Sequence, residues 1–347
     1  MKGSFIRRGC RVLYFGVGVR VVEDLCLGDK WTVERPFASF LSGNRALIWR
    51  NRQFSMEEAA QLMQPVTEGN ITDLATARWN TAHDPRLAEI MAAVVRHVHE
   101  LAREVRLTEA EWMAAMQWLT RTGQISDDKR LEYILASDVL GLSMLVVQMN
   151  HQFDERATPA TVLGPFHIEG SPELEFGGDM SEGVPGQPLY VHGSVRDIDG
   201  SPIGGALLDV WQADTDGAYE SQLDVDEERL RAKYSTRKDG SYCVRTVAPK
   251  GYTIPMDGPV GELISRTDIS HYRPAHVHFL VTAHNYEPLI THLFEDGAEY
   301  LDSDVVFGTK AELVIPFVAR DAGPTPDGGK SADPWVEAQY DFVLQPT

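Results

Sequence analysis

The stretch LYVHGSVRDIDGSPIGGALLDVWQADTDGAYES, from Leu189 to Ser221, contains two runs of alternating apolar residues on either side of an Asp-Gly pair. Alternation with a period of two is typical of strands with one buried face, and Asp-Gly is a hairpin signal. A second such pair, Asp239-Gly240, predicts another hairpin. Further strand-like runs follow Pro159, and together they predict a β-sandwich: SYCVRTVA, AHVHFLVTA, LITHLFE, ELVIPFVA and QYDFVLQ.

The preceding segment, 56–158, has helical periodicity. Asp84-Pro85 supplies an N-cap and a first-turn proline for one helix, and Thr108 with Glu111 is typical of a capping box for a second that ends at Gly123. The run DDKRLEYILASDVLGLSMLVVQMNHQF, 127–153, predicts a third helix, apolar on nearly all sides and therefore buried against the sheet or a partner subunit. The apolar stripe of the first helix has three-and-four spacing: Leu87, Ile90, Met91, Val94, Val95, Val98, Leu101, Ala102 and Val105.

The chain therefore belongs to the α+β class, mostly β, with three predicted regions. We expect a helical dimerisation and linker domain at 56–158 and a catalytic β-sandwich of mixed topology at 159–347. Residues 1–55 differ in composition, with ten Lys or Arg against four Asp or Glu, although the whole chain carries a net charge of −19. This basic extension is either a genuine arm or sequence upstream of a start at Met56. We favour the second interpretation and expect deletion of 1–55 to preserve activity.

Composition excludes several classes of partner. The acidic net charge argues against binding to nucleic acid or to an anionic membrane surface, which need clustered Lys and Arg. No run of about 18 uncharged apolar residues occurs, so no transmembrane helix is expected. Cys10, Cys26 and Cys243 form neither a metal-binding spacing nor an even disulfide framework. We predict a cytoplasmic protein that acts on a small molecule.

His276 and His278, in the run RPAHVHF, form a candidate metal-binding pair. Side chains two apart on a strand point to the same face, whereas a second His-x-His, at His97 and His99, lies in a helical pattern where they do not. Tyr219 in DGAYES and Tyr252 in PKGYTIP occupy glycine-containing turns upstream that would aim two phenols at the same point.

The residue types of this set indicate which metal they would bind. Phenolate is a hard, anionic oxygen donor, and a phenol has a pKa of about 10 until a Lewis-acidic ion displaces its proton. Two phenolates and two imidazoles therefore suit ferric iron, Fe(3+).

The segments from Leu189 to Ser221, DGSYCVRTVAPKGYTIP and RPAHVHF resemble the intradiol ring-cleavage dioxygenases. VLGPFHIEG (162–170) and THLFEDGAEYLDSDVVFG (291–308) are most similar to the hydroxyquinol 1,2-dioxygenase branch, and the resemblance covers about residues 75–345. It implies a non-haem ferric enzyme that uses O2 to cleave hydroxyquinol (1,2,4-trihydroxybenzene) to 3-hydroxy-cis,cis-muconate, or maleylacetate. It also implies a homodimer formed through the helical domain.

The resemblance assigns roles to individual residues. Tyr219 and His276 are the implied equatorial ligands, and Tyr252 and His278 the axial ones. Tyr252 also takes a proton from the incoming substrate, and Arg273 stabilises negative charge on the ring. The implied substrate pocket contains Leu135, Asp138, Val162, Leu163, Gly164, Pro165, Arg273, His292, Val305 and Val306.

Two pocket residues leave alternatives open. His292 stands where catechol enzymes commonly carry glutamine, and it is either a hydrogen-bonding partner of the site or a structural histidine. Asp138 follows apolar helix residues, where burying a carboxylate is costly without a donor. A third ring hydroxyl would be such a donor; otherwise Asp138 pairs locally within the helical domain.

Other functions remain open at this point. Catechol or chlorocatechol 1,2-dioxygenation would use the same metal set. A cupin-like or zinc hydrolase site would take His292 or Asp304 as a third ligand, although the two tyrosines argue against it. A non-enzymatic, transthyretin-like binding sandwich would explain the strands but neither the helical domain nor Arg273.

Overall fold

The computed structural model describes residues 65–127, 130–223 and 228–347, and the backbone of two paired strands, β1 (Lys30–Val33) and β2 (Arg52–Ser55). The rest of 1–55, and with it the interpretation of this segment as an arm or as upstream sequence, lies outside the described residues. The chain divides into two compact units, Met1–Thr108 and Glu109–Thr347. The second unit contains helices as well as both large sheets.

The first unit contains helices α1 (Ile71–Trp79) and α2 (Pro85–Glu104). Asp84 caps α2 as predicted, since its carboxylate accepts a hydrogen bond from the Arg86 backbone N–H at 2.9 Å. Arg103 on α2 donates to the Thr72 hydroxyl of α1 at 2.8 Å. Much of the predicted apolar stripe of α2 is exposed in the single chain, including Leu101 at 57%.

The second unit contains α3 (Glu109–Ile125), α4 (Glu132–Val139), α5 (Leu142–Asn150) and α6 (Pro259–Ile264). Helix α3 continues two residues beyond the end predicted at Gly123.

The prediction of one long helix over 127–153 is wrong. The helix breaks at Gly141, whose φ of +71° is accessible to glycine at little cost, and α4 and α5 meet at an angle of 79°. Leu140 is 71% exposed in the single chain, so the sheet domain does not cover this part of the run, and its burial against a partner subunit stays a prediction. No single helix in the described parts is long and apolar enough to cross a membrane; α4 and α5 meet that test only as a bent pair.

Two five-stranded sheets form the predicted sandwich. The strands of the first sheet are β4 (Leu207–Trp211), β5 (Arg231–Ser235), β9 (His276–Thr282), β10 (Leu289–Glu295) and β11 (Val314–Ile315). They lie in the order β11-β10-β9-β4-β5, and the sheet is antiparallel except for the β10–β11 pair.

The strands of the second sheet are β3 (Pro188–Asp197), β6 (Ser241–Val247), β12 (Phe317–Arg320), β15 (Trp335–Gln339) and β16 (Phe342–Leu344). They lie in the order β12-β15-β3-β16, and β6 is also paired to β3. This sheet is mixed because β15 and β16 run parallel to β3.

Shorter elements complete the second unit. Three-residue 3-10 turns lie at Glu220–Gln222 and Ala311–Leu313. Two small antiparallel ribbons pair β7 (Tyr252–Thr253) with β8 (Tyr272–Arg273), and β13 (Gly323–Pro324) with β14 (Lys330–Ser331).

Both Asp-Gly pairs form tight turns, and the turn at Asp199-Gly200 closes a short antiparallel hairpin in which Arg196 pairs with Pro202. Gly200 and Gly240 have φ of +87° and +78°, as such turns require. The Gly200 turn lies between β3 and β4, and the Gly240 turn between β5 and β6, so each connects strands of different sheets. The hairpin prediction is therefore confirmed locally at Asp199-Gly200, where the Ile203 N–H donates to the Val195 carbonyl oxygen at 2.8 Å, but the longer strands that flank each turn do not pair with each other.

Strand β9 separates the sandwich core from the candidate site. Val277, Phe279 and Val281 are fully buried in the core between the sheets. His276 and His278 alternate with them and so point to the opposite face, where both are 2% exposed.

Two glycine-to-alanine substitutions are expected to change stability in opposite directions. A Cβ on Gly193 of β3 would overlap the carbonyl oxygen of Tyr340, so Gly193→Ala should lower the free energy of unfolding by more than about 2 kcal/mol. Exposed Gly123 lies inside α3 with only ordinary contacts to Tyr133, so Gly123→Ala should raise it by about 0.5–1 kcal/mol. Urea unfolding of both variants checks the signs; equal effects would contradict the packing at Gly193.

Candidate metal centre and substrate pocket

Four predicted ligand atoms converge at the outer face of the first sheet. The Tyr219 hydroxyl lies 3.0 Å from the Tyr252 hydroxyl, 2.9 Å from His278 Nε2 and 3.4 Å from His276 Nε2. The two histidine Nε2 atoms are 3.1 Å apart. All four side chains are buried.

These separations fit one metal ion. Two ligand atoms each about 2.1 Å from an ion, with an angle of 90–120° between them, lie about 3.0–3.6 Å from each other. The separations among the four atoms fall close to this range, so one ion could contact all of them after small adjustments.

The protonation of these groups favours a cation between them. Burial raises the pKa of Tyr219 well above its usual value, and the neighbouring Tyr252 raises it further. Burial also raises the pKa of Tyr252, although the positive charge of Arg273 opposes this. The pKa values of His276 and His278 are lowered well below the usual value, mainly by burial. Without a metal, the cluster therefore holds neutral phenols and neutral imidazoles, and a Lewis-acidic ion would supply the charge that phenolates need.

Local backbone structure places the two tyrosines. Gly217, at φ +86°, precedes Tyr219 in a turn, and a Cβ there would lie 2.6 Å from the Cβ of Tyr252, so only glycine allows this approach. The Tyr219 backbone N–H donates to the Gln222 side chain at 2.9 Å. Tyr252 lies in β7, where its register partner in β8 is Arg273.

Neighbouring groups orient the two imidazoles. His276 Nδ1 lies 2.6 Å from the Pro274 carbonyl oxygen, which as an acceptor selects the tautomer with Nε2 free for a metal. The His278 ring stacks on Trp211, with ring centres 4.7 Å apart and planes at 15°. Gly164, at φ +78°, lies against the same ring, since a Cβ there would be 3.5 Å from His278 Cε1.

His292 is a third buried histidine beside the pair. It faces His278 across the β9–β10 register, and the ring centres are 4.2 Å apart. Its Nδ1 lies 2.6 Å from the Thr161 hydroxyl, while its Nε2 has no hydrogen-bond partner among the described residues. His276, His278 and His292 could together hold a metal ion, so the cluster supports a metal site by its histidines as well as its phenols.

The other His-x-His shows no such convergence. His99 contacts the Thr72 hydroxyl at 2.9 Å, whereas His97 contacts Glu100 at 3.2 Å on the exposed face of α2.

The predicted pocket residues fall into two adjoining groups. Leu135, Val162, Val305 and Val306 pack in one apolar cluster, which also contains Ile254, a residue not predicted. Leu163 packs instead against the cluster that contains Tyr219 and Tyr252. Pro165, next to Gly164, is half-buried.

Asp138 is buried without a hydrogen-bond partner. It is 1% exposed, and neither carboxylate oxygen has a partner in the part of the chain that the structure describes. Burial raises its pKa to about 6, although nearby Ser143 and the charge of Arg273 oppose this. The Ser143 hydroxyl donates its hydrogen to Ser137 at 2.8 Å. Asp138 therefore has two buried acceptor oxygens without a partner of ordinary hydrogen-bond geometry among the described residues, and the nearby Ser143 hydroxyl keeps local pairing within the helices as the alternative to a ligand.

Arg273 forms a buried ion pair with Asp304. Its Nε and Nη2 donate to Asp304 Oδ1 and Oδ2 at 3.1 and 3.4 Å, and the two side chains are 3% and 2% exposed. Burial lowers the pKa of Arg273, but Asp304 and the two tyrosines raise it by more than burial lowers it. The net pKa is above the usual value of arginine, so the guanidinium stays charged. Asp304 is thus engaged with Arg273 and is not placed as a metal ligand.

Sequence reasoning missed several residues around the centre. Thr161 holds His292, Phe166 stacks on Tyr219 at 4.5 Å, and Trp211 stacks on a candidate ligand rather than only filling the core. Thr161 and Phe166 flank the quoted segment 162–170 or lie within it, so proximity to that motif was the available signal.

Comparison with known families identifies the class of protein. Residues 163–346 match the family model described as "Dioxygenase", and residues 84–158 match "Catechol dioxygenase N terminus". The chain belongs to the intradiol ring-cleavage dioxygenases.

Particular relatives refine this placement. The chain is 44% identical to a 6-chlorohydroxyquinol 1,2-dioxygenase of Cupriavidus pinatubonensis over 82% of this chain and 100% of that one. It is also 44% identical to a hydroxyquinol 1,2-dioxygenase of Nocardioides simplex, over 82% of this chain and 97% of that one. The crystal structure of a hydroxyquinol 1,2-dioxygenase from Pseudomonas putida DLL-E4 superposes with a TM-score of 0.73 at 43% identity, covering 81% of this chain and 99% of the other. The zinc hydrolase and transthyretin-like alternatives are therefore set aside.

Asp138 should make the metal-free protein less stable as pH rises. Its folded pKa of about 6 exceeds the ordinary value of 3.8, so the folded state binds the proton more tightly, and this stabilisation is lost between about pH 4 and 6. Asp138→Asn should stabilise the metal-free protein more at pH 7.5 than at pH 4.5, by up to about 2 kcal/mol. Thermal unfolding at both pH values measures the difference. Asp302→Asn, at an exposed position, is the control, and a pH-independent difference for Asp138→Asn would contradict the burial of a titrating carboxylate.

Proposed function

We propose that this chain is a ferric-iron intradiol dioxygenase that cleaves hydroxyquinol between its two adjacent hydroxyl-bearing carbons. The observation that carries the proposal is the convergence of four side chains in a buried site. The hydroxyl oxygens of Tyr219 and Tyr252 and the Nε2 atoms of His276 and His278 are linked by contacts of 2.9–3.4 Å. The reaction adds both atoms of O2 to the ring and yields 3-hydroxy-cis,cis-muconate, which is a tautomer of maleylacetate.

Ferric iron is the proposed ion because the donor set includes two phenols. Hard, anionic oxygen donors favour a trivalent ion, whereas zinc sites are usually built from Cys, His and carboxylate. A ferric ion held by Tyr219, Tyr252, His276 and His278 would supply the Lewis acidity that lets the two adjacent ring hydroxyls bind as a chelating dianion and makes the ring reactive towards O2.

The chain's own residues would handle protons and charge. A diol that binds as a dianion must lose two protons, and the hydroxyl oxygen of Tyr252 is the proposed acceptor of one of them. The charged guanidinium of Arg273, near Tyr252, would stabilise negative charge that develops on the ring. Leu135, Val162, Val305 and Val306 would enclose the ring and exclude water.

Asp138 supports hydroxyquinol as the substrate. No described residue donates to its buried oxygens with ordinary hydrogen-bond geometry, and the third hydroxyl of hydroxyquinol is a donor that catechol does not have. The names of the relatives at 44% identity agree with this choice, and one of them favours a chlorinated hydroxyquinol as a second candidate. Catechol 1,2-dioxygenases are more distant: the Pseudomonas arvilla C-1 structure is 27% identical with a TM-score of 0.70, covering 80% of this chain and 92% of that one.

We also propose that the enzyme is a cytoplasmic homodimer. The apolar stripe of α2, with Val98 and Leu101 more than half exposed, and the exposed apolar residues of α5 offer more apolar surface than isolated side chains would. A second copy of the chain is the proposed partner for these surfaces. The buried, unpaired Cys243 is compatible with a reducing compartment.

The purified protein should bind about one ferric ion per chain and should be coloured, because phenolate ligands donate charge to Fe(III). Tyr219→Phe and Tyr252→Phe should each weaken the visible absorption band, since each removes one phenolate. Absorption spectra and iron analysis of both variants test this, with Tyr300→Phe as a control on a tyrosine stacked with Tyr272. Unchanged spectra in both ligand variants would eliminate the proposed centre.

Hydroxyquinol should be cleaved much better than catechol. A substrate without the third hydroxyl leaves the Asp138 carboxylate without a donor, which costs about a hundredfold in kcat/KM. Asp138→Ala should therefore reduce kcat/KM for hydroxyquinol far more than for catechol. If the variant keeps the wild-type ratio of the two values, Asp138 does not recognise the third hydroxyl.

Light scattering should give twice the chain mass of 38.6 kDa at micromolar concentration. Glutamate at both Val98 and Leu101 should reduce this mass to that of the monomer, because it places charge in the exposed apolar stripe. Arg96→Glu, at an exposed position outside the stripe, is the control. A monomeric wild-type protein would refute the dimer.

A further inference from the structure

Asp304 is a buried carboxylate directed at Arg273. In the proposed reaction, Arg273 is the side chain that supplies a fixed positive charge. Its two oxygens receive the Nε and Nη2 hydrogen bonds of Arg273, at 3.1 and 3.4 Å. A guanidinium that donates through two of its nitrogens to one carboxylate is restricted to few side-chain rotamers, whereas an unpaired arginine samples many rotamers. The pair therefore determines where the charge of Arg273 lies.

The carboxylate is itself held by the backbone of its own loop. Asp304 Oδ2 accepts the Gly308 N–H at 2.9 Å, and Oδ1 accepts the Val306 N–H at 3.4 Å. Val305 and Val306, between these anchors, belong to the apolar wall of the pocket. One turn thus carries both the wall of the pocket and the group that holds the arginine.

Arg273 is placed from the other side by the β7–β8 ribbon. Its register partner is Tyr252, so the backbone of the arginine is aligned with a candidate ligand. The backbone brings Arg273 to the site, but its long side chain still needs a partner for a defined direction.

We propose that Asp304 is a positioning residue, which holds the Arg273 guanidinium where negative charge develops on the bound ring. Through its hydrogen bonds to its own loop, Asp304 also fixes the position of the guanidinium relative to the Val305–Val306 wall. This role rests on the proposed function and goes beyond it, because the hydrogen bonds of the Asp304 carboxylate go to Arg273 and to its own loop rather than to a candidate metal ligand. Since the charge matters most in the transition state, loss of Asp304 affects kcat more than substrate affinity.

A purely structural role predicts a different outcome. Removing one partner of a buried ion pair strongly destabilises a protein whatever its function. Stability alone therefore cannot distinguish the two roles, and the experiment must separate kcat from KM and test dependence on Arg273.

The test is a double-mutant cycle of Asp304→Asn and Arg273→Gln in the iron-loaded enzyme, with kcat and KM for hydroxyquinol. Affinity for hydroxyquinol without O2, iron content and melting temperature are measured alongside. Asp304→Asn should lower kcat by about 10- to 100-fold while KM and anaerobic affinity stay within about threefold. In the Arg273→Gln background the same change should lower kcat by less than about twofold, because its effect acts through the arginine.

Gly308→Ala provides a variant that keeps both charges. A Cβ there would lie 3.0 Å from both Arg273 Nη2 and Asp304 Oδ2, and the backbone of Gly308 lies outside the left-handed region, so alanine is allowed. It should displace the pair slightly and lower kcat by about three- to tenfold without loss of iron. This variant decides the question if Asp304→Asn does not fold. Asp302→Asn, on the same loop but exposed, is the control and should leave kcat unchanged.

The outcomes separate the two proposals. Losses of kcat that multiply in the double variant, or a fall in melting temperature with unchanged kcat in Asp304→Asn and Gly308→Ala, overturn the positioning role. A wild-type protein with no visible band and no cleavage of hydroxyquinol would instead overturn the proposed function. If catechol rather than hydroxyquinol is turned over, the same cycle is measured with catechol.

Discussion

The register of β9 between β4 and β10 is the constraint on which the site depends. In this register His278 lies opposite Trp211 on one side and His292 on the other. A slip of one residue would turn both candidate ligands into the sandwich core and expose Val277 and Phe279. Burial of each such apolar side chain stabilises the fold by about 1.5–3 kcal/mol, so the core on one face of the strand holds the histidines on the other.

The site buries polar side chains whose loss of hydration costs free energy. A bound metal ion and substrate would offset that cost. Buried phenols and imidazoles meet at the cluster, while Asp138 and His292 Nε2 lack hydrogen-bond partners among the described residues. A bound ligand that pairs with these groups would offset the hydrogen bonding that burial costs them. Arg273 and Asp304 are the exception, since they satisfy each other within the protein.

Local patterns sufficed to predict part of this arrangement. The alternation of apolar residues with His276 and His278 predicted a strand. The strand forms as predicted because the neighbouring strands have the same two-residue alternation of apolar side chains. The break at Gly141 was missed because the apolar run continues through it, and only the folded chain brings Phe307 against that glycine. The Asp-Gly turns have a similar limit: the motif specifies the local reversal, whereas the sheet to which each flanking strand belongs depends on distant strands. Asp304 gained its role from a contact with a residue 31 positions earlier, which no local pattern encodes.

The way in which β3 is paired has a consequence for synthesis of the protein on the ribosome. One edge of β3 pairs with β6, but the other is covered, among the described strands, by β15 and β16, which follow β3 by more than 130 residues. Until those strands emerge, the nascent chain presents an unpaired strand edge, a known route to aggregation. A ribosome that stalls or terminates shortly before β15 would therefore release a chain with every candidate metal ligand already made but with its second sheet incomplete, a product suited to removal by quality control.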